Sequence, residues 1–205
     1  MSSFGEQWNY FNFVQFKEQW LNHTVKNTWS DTSVFKDKII IDAGGGSGAQ
    51  GKWFLEYGAK HVIILDLSQS LDDVAIRNLK NADPSKFDLI QCSIDNPPLR
   101  DNSISGLVYC HNVIQHTPSV EKTLKALYKV LLNGGELAFN CYQLNDKGLF
   151  RWIRFHLAHA FQWHLSNKEV KQLLDNLNPK PTAIKNKSKY FERPQPIGCA
   201  LRVIK

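Results

Sequence analysis

The stretch Ile39-Ile40-Ile41-Asp42-Ala43-Gly44-Gly45-Gly46-Ser47-Gly48 decides how the rest of the chain is read. Its first half is a β-branched run without polar alternation, the pattern of a strand covered on both faces, as in a parallel sheet. Its second half is glycine-rich and leads into a helical pattern through Trp53, Phe54 and Tyr57, which Gly58 is placed to end with a left-handed cap. Glycines at such a bend let the backbone turn tightly and let a ligand approach it without meeting a Cβ. The next apolar run, His61 to Asp66, ends in a carboxylate 20 residues after Gly46. An acid there can accept hydrogen bonds from both hydroxyls of an adenosine ribose.

Strands and helices alternate outward from this unit. Ser68 is placed to cap a helix through Val74, Ile76 and Leu79. Strands are expected at 87–92 and 104–110. Thr117-Pro118 reads as a cap followed by a proline in the first helical position. The helix behind it runs through Val120, Leu124, Leu127, Val130 and Leu131 and stops at Asn133-Gly134-Gly135, before a fifth strand at 136–142. Phe13, Phe16, Trp20 and Leu21 predict a helix over about 12–25. A helix rich in aromatics and histidines is expected over 148–164, and Ser166-Asn167-Lys168-Glu169 is a capping box. Strands at 182–190 and 197–204 close the chain. The alternation predicts an α/β fold with a doubly wound, mostly parallel sheet of seven strands. Its last strand is antiparallel, because no crossover precedes it. Residues 1–35 read as an aromatic helical cap and 36–205 as the main domain, with a helical lid insertion at about 146–165.

The chain has 205 residues, 42% hydrophobic and 21% charged, the balance of one globular domain rather than a disordered or coiled-coil chain. No apolar run approaches the ~20 residues of a membrane span. The opening MSSFGEQWNYF lacks the basic and apolar parts of a secretory signal. Cys92, Cys110, Cys141 and Cys199 are far apart, with no CxxC pair, which argues against a metal ribbon or disulfide scaffold and fits a cytoplasmic protein. The net charge is +6, yet residues 147–205 alone hold 12 Lys+Arg against 3 Asp+Glu. That asymmetry suits contact with nucleic acid, lipid headgroups or an anionic substrate, and equally suits a solvated basic face.

Gly46-Ser47-Gly48-Ala49-Gln50-Gly51 also fits the dinucleotide fingerprint GxGxxG. The late first strand, Asp42 just before the glycines and the reversed last strand turn the reading away from NAD. The chain instead resembles the class I S-adenosylmethionine-dependent methyltransferases of the broad type 11 group, which share a Rossmann-like sheet. The resemblance covers about 36–142. It rests on IIIDAGGGSG (39–48), VIILDLS (62–68), PPLRDNSISGLVYCHNVIQHTP (97–118) and LYKVLLNGGELAF (127–139). It implies S-adenosyl-L-methionine as cofactor. Gly44, Gly45, Gly46 and Gly48 would lie along its methionyl part and Asp42 would support the loop. Asp66 would take the ribose hydroxyls and Leu67 would flank the adenine. Ser93 and Ile94 stand where an adenine-contacting acid is usual, and Asp95 would have to reach from two residues on. His111 and Asn112 complete the implied cofactor contacts.

Methyl transfer from a sulfonium to a lone pair is an in-line displacement that needs no metal; the protein holds two reactants in line and excludes water. Orientation of that kind supplies ~7–11 kcal/mol. A hydroxyl acceptor would gain from a general base, for which His111 and His116 are the candidates at the carboxyl rim of the sheet. Gln115 and Tyr142 on that rim, with Trp8, Tyr10, Phe11 and Trp152 in the two aromatic segments, are candidate substrate contacts. Cys110 and Cys141 are expected side by side as small core residues. The 148–164 helix, with Arg151 and Arg154, could also lie on a membrane interface. The reading is methyl transfer to a small-molecule acceptor, a metabolite, glycan or lipid-like compound, by a monomer or homodimer. The alternatives are an RNA or protein methyltransferase using the basic C-terminal third, or a non-catalytic protein that binds an adenosyl ligand.

Overall fold

The computed structural model describes residues 13–69, 71–143, 164–165, 167–185 and 199–205. Its strands are β1 (Ile39–Ala43), β2 (His61–Asp66), β3 (Phe87–Gln91), β4 (Leu107–Cys110), β5 (Glu136–Gln143), β6 (His164–Leu165), β7 (Ala183–Lys185) and β8 (Cys199–Ile204). Seven of them follow one path, β3-β2-β1-β4-β5-β8-β7. The first five strands are parallel, and β8 runs antiparallel to both β5 and β7. The sheet is therefore doubly wound with a reversed last strand, as the alternation predicts. The order turns back between β1 and β4, and the crevice beyond the carboxyl ends at such a switch point is where ligands bind in open α/β sheets.

Both faces of the sheet are covered. Ile41, Ala43, Leu65, Val108, Cys110, Leu137 and Phe139 face helices α4 (Val120–Lys129) and α5 (Asn167–Asp175). Their chain neighbours Ile40, Ile64, Leu107, Tyr109 and Ala138 face the other way. There they meet Trp20, Trp53, Phe54, Ala75 and Leu79 of α1, α2 and α3. Helix α1 begins as Phe13–Gln19, widens into a π-helix at Trp20–Val25 and ends in a turn at Lys26–Thr28. Helix α2 is Ala49–Glu56, and α3 is a π-turn, Leu71–Ala75, continued by Ile76–Leu79. This two-sided burial is why the strands lack alternation.

Several local expectations change. The cap of α4 is Ser119, whose hydroxyl accepts from the Lys122 amide at 3.2 Å. Thr117 is extended, as the residue before a proline tends to be, and its hydroxyl donates to the Ile114 carbonyl at 2.7 Å. The Ser68 amide donates to Asp66 at 2.8 Å, and α3 starts only at Leu71. Strand β4 starts at Leu107 rather than 104; Ile104 makes an isolated bridge to Leu131. Cys110 stands opposite Phe139, so Cys141 is displaced by two residues and pairs across to Cys199. His164 and Leu165, where the lid helix was expected to end, instead extend the sheet beside Tyr142 and Gln143. The rest of that lid lies outside the described residues.

At the amino edge of the sheet, Glu136 is buried, with 4% of its surface exposed. Arg202 grips both its oxygens, at 2.7 and 2.6 Å, and the Trp29 indole donates to it at 2.5 Å.

Candidate cofactor and active site

The glycine loop leaves β1 and is latched to the end of β2. The Gly44 and Gly45 amides donate to the Leu65 carbonyl at 2.7 and 3.1 Å. The Gly46 amide donates to Asp66 Oδ2 at 2.9 Å, while Ser68 serves Oδ1. Gly44 has φ +83°, and a Cβ there would come within 2.5 Å of the Val113 methyls. At Gly45 a Cβ would meet Ile64 at 2.5 Å and Asp42 Oδ2 at 2.8 Å. Only bare backbone fits between these side chains.

Asp42 supports the loop from below. It is 1% exposed and its Oδ2 has no hydrogen-bond partner. Burial, and then repulsion from Asp66, push its carboxyl up to about 7, against the pull of a hydrogen bond from the Gly51 amide. Leu67 is 70% exposed beside the end of β2, whereas Ile94 is buried. The Ser93 hydroxyl donates to Asp95 at 2.6 Å, and Lys122 reaches the other Asp95 oxygen at 3.0 Å. These contacts, the Ser93 bond foremost, hold the Asp95 carboxyl below its usual range. To reach an adenine, Asp95 would have to give up both partners.

The end of β4 forms the next wall. The His111 ring lies parallel to Tyr109, with centroids 5.6 Å apart. Its Nε2 is 3.3 Å from Thr24 Oγ1, and its Nδ1 is 3.5 Å from the Gln50 side-chain amide nitrogen. Burial lowers its pKa to about 4, so the ring is neutral near pH 7. Asn112 adopts a left-handed conformation, φ +58°, which asparagine tolerates better than most residues. Its amide donates to Asn140 Oδ1 at 2.5 Å, and Asn140 returns a bond to Asn112 Oδ1 at 2.6 Å. This pair ties the ends of β4 and β5 together. Gln115 is fully buried with neither amide atom partnered, and His116 is half-buried in the same short turn, Ile114–His116.

Asp42, Gly44, Gly45, Gly46, Gly48, Asp66, Leu67, His111 and Asn112 thus gather at the carboxyl edge of β1, β2 and β4. Trp8, Tyr10, Phe11 and Trp152 lie outside the described residues, as does the side chain of Tyr142. Sequence reading missed Thr24, Gln50 and Val113. Gln50, in the first turn after the loop, carried a positional hint; Thr24, 87 residues before its partner, carried none. Among the described residues no three His, Cys, Asp or Glu side chains cluster as a metal site. No described helix is long and apolar enough to cross a membrane. A separate groove of ≈360 Å³ runs between α4 and α5, lined by Pro118, Glu121, Glu169 and Gln172 among others; it includes no residue of the glycine loop.

Residues 41–139 match the family model Methyltransf_11, a methyltransferase domain. Over 123 residues the chain is 28% identical to the ubiquinone/menaquinone biosynthesis C-methyltransferase UbiE of Rhizobium meliloti (strain 1021), covering 55% of this chain and 47% of the relative. Over 113 residues it is 30% identical to the ribosomal protein L11 methyltransferase of Marinomonas sp. (strain MWYL1), covering 55% of this chain and 36% of that one. The chain thus spans about half the length, or less, of these curated relatives. The geranyl diphosphate C-methyltransferase of Streptomyces coelicolor A3(2), solved with Mg2+, geranyl diphosphate and S-adenosyl-L-homocysteine, superimposes with a TM-score of 0.69. That match covers 100% of this chain and 84% of the other, at 12% identity, and is a likeness of fold. The partnerless Oδ2 of Asp42 and the glycines at 44 and 45, where no Cβ fits, suit a cofactor whose zwitterionic amino-acid tail lies against bare backbone. Residues 41–139 thus match a methyltransferase domain, and the strand order and the glycine loop agree with the fold of the class I S-adenosylmethionine-dependent methyltransferases.

Proposed function

We propose that this protein transfers a methyl group from S-adenosylmethionine to a small-molecule acceptor. The observation that carries the reading is the latch between the Gly46 amide and Asp66, which brings the bare loop and a carboxylate suited to ribose hydroxyls to one edge of the sheet. The donor, when bound, supplies a methyl group on a positively charged sulfur. The protein's part is placement and exclusion of water. Gly44 to Gly48 would hold the methionyl part, Asp66 the ribose hydroxyls and Leu67 one adenine face, with Ser93 and Ile94 along its edge.

Of the two histidines, His111 is the weaker general base for a hydroxyl acceptor, which leaves His116 as the candidate. Both His111 nitrogens face neighbours, Thr24 and Gln50, and its basicity is suppressed by burial. His111 then acts as a wall and His116 as the group that takes the proton. Gln115, expected as a substrate contact, is fully buried on the same turn and closed to a substrate in this structure. A protein acceptor is the second reading, favoured by the likeness to the L11 methyltransferase.

Calorimetry with S-adenosylhomocysteine and with NAD tests the cofactor. Binding of the first and not the second is expected; the reverse would sink the reading. With labelled donor and a panel of quinol, phenol and isoprenoid acceptors, His116→Ala should lower turnover by ~10²–10⁴-fold at unchanged S-adenosylhomocysteine affinity. If His111→Ala alone lowers it, the roles are exchanged.

A further inference from the structure

The π-turn of α1 and the end of β4 meet in a way the cofactor loop does not require. Tyr109 lies in β4 and His111 directly follows its last residue, and their rings lie within 6° of parallel. Trp20 and Thr24 are four apart within the π-helix Trp20–Val25. Each takes one of the two rings: the Trp20 indole donates to the Tyr109 hydroxyl at 2.9 Å, and Thr24 Oγ1 stands 3.3 Å from His111 Nε2. A widened turn costs helical hydrogen-bond quality and tends to persist where a site uses it. Here it brings two polar groups into register with Tyr109 and His111.

The protonation pattern follows from the partners. The Gln50 amide nitrogen can only donate, so the His111 Nδ1 it faces must be the acceptor. With Nδ1 accepting, the ring proton would sit on Nε2, facing Thr24 Oγ1 at 3.3 Å. We propose that Thr24 is a positioning residue that holds His111 in one ring orientation and one tautomer, so that α1 completes the wall of the cofactor site. The inference rests on reading Gly44–Gly48 as the cofactor cradle, since Gln50 belongs to the helix that this loop starts. It makes α1 part of the active site, with Thr24 acting on the reaction through His111 and not by touching the reactants.

The test is nuclear magnetic resonance of the protein with isotope-labelled histidine, free and with S-adenosylhomocysteine, with the His111 signal assigned from its loss in His111→Gln. The wild type should carry its proton on Nε2 in a single tautomer, as a slowly exchanging signal. Thr24→Val, which keeps shape and removes the acceptor, should speed exchange of that proton about tenfold, as loss of one hydrogen bond implies. Thr24→Ser should restore the slow signal. The Trp20 indole signal reports whether α1 stays docked; if valine disturbs it, Thr24→Ala makes the same comparison. A wild-type proton on Nδ1, or exchange indifferent to Thr24 with Trp20 still docked, overturns the proposal. Failure of S-adenosylhomocysteine to bind would sink the cofactor reading separately, because the tautomer is also read in the free protein.

Discussion

Two buried carboxylates sit at opposite ends of the same parallel strands, and they are treated in opposite ways. Glu136, at the amino edge, meets a two-pronged Arg202 guanidinium and an indole N–H. Asp42, at the carboxyl edge, has an oxygen without a hydrogen-bond partner and a second acid, Asp66, whose charge pushes its carboxyl up. A buried charge that serves only the fold is worth keeping only when fully paired, because an unpaired one carries an uncompensated desolvation cost. An edge left negative and undersatisfied is therefore the mark of a place that expects a ligand. The contrast supports the proposed site without reference to any relative.

The largest way to break this comparison is at the satisfied end. Glu136→Ala leaves the Arg202 charge, itself 13% exposed, buried without its partner. Chemical denaturation should show a loss of ~3–5 kcal/mol, while the folded variant still binds S-adenosylhomocysteine as the wild type does. A loss under ~1 kcal/mol, as for a surface ion pair, would place Glu136 among the exposed pairs and remove the contrast.

At the other end the balance should reverse. Asp66→Ala deletes the acceptor expected for two ribose hydroxyls, each such bond to a charged group being worth ~1.5–3 kcal/mol. Calorimetry should show affinity for S-adenosylhomocysteine falling well over tenfold. Stability should change much less: the Gly46 and Ser68 amides lose an acceptor, but Asp42 loses its repelling neighbour. Unchanged affinity would mean that Asp66 serves only to latch the loop.

The two ends also differ in how much of them could be read from sequence. The sheet was legible because its central strands are buried on both faces, so Ile39–Ile41 and Val62–Leu65 appear as unbroken apolar runs. The loop and Asp66 were legible because strand, glycines and acid follow one another within a single local unit. What was hidden depends on chain segments far apart. The grip of Arg202 on Glu136 spans 66 residues and that of Thr24 on His111 spans 87. The π-turn that brings Trp20 and Thr24 into position leaves the aromatic spacing of α1 close to that of an ordinary helix. The cap of α4 was misplaced for a different reason: Thr117 and Ser119 both suit a cap by type, and the choice fell to the backbone restriction imposed by Pro118.

The smallest effect asks whether Asp42 and His111 feel their burial as the geometry implies. Asp42 titrates near 7 when folded against an ordinary 3.8, so the folded state binds its proton more tightly and stability falls as pH rises from about 4 to about 7. His111 titrates near 4 against an ordinary 6.5, so the folded state binds its proton less tightly and stability rises across nearly the same interval. In the wild type the two slopes oppose each other. Asp83 and Asp95, held below their ordinary 3.8, add a shared rise at the acid end that is the same in the wild type and in both variants. Denaturation between pH 4 and 7 should then show a nearly level profile for the wild type, a rising one for Asp42→Asn and a falling one for His111→Gln. Each single-proton slope is at most ~1.4 kcal/mol per pH unit. A variant profile parallel to the wild type would mean that the substituted group titrates normally, and for Asp42 it would take away the electrostatic half of the case that this edge awaits a cation.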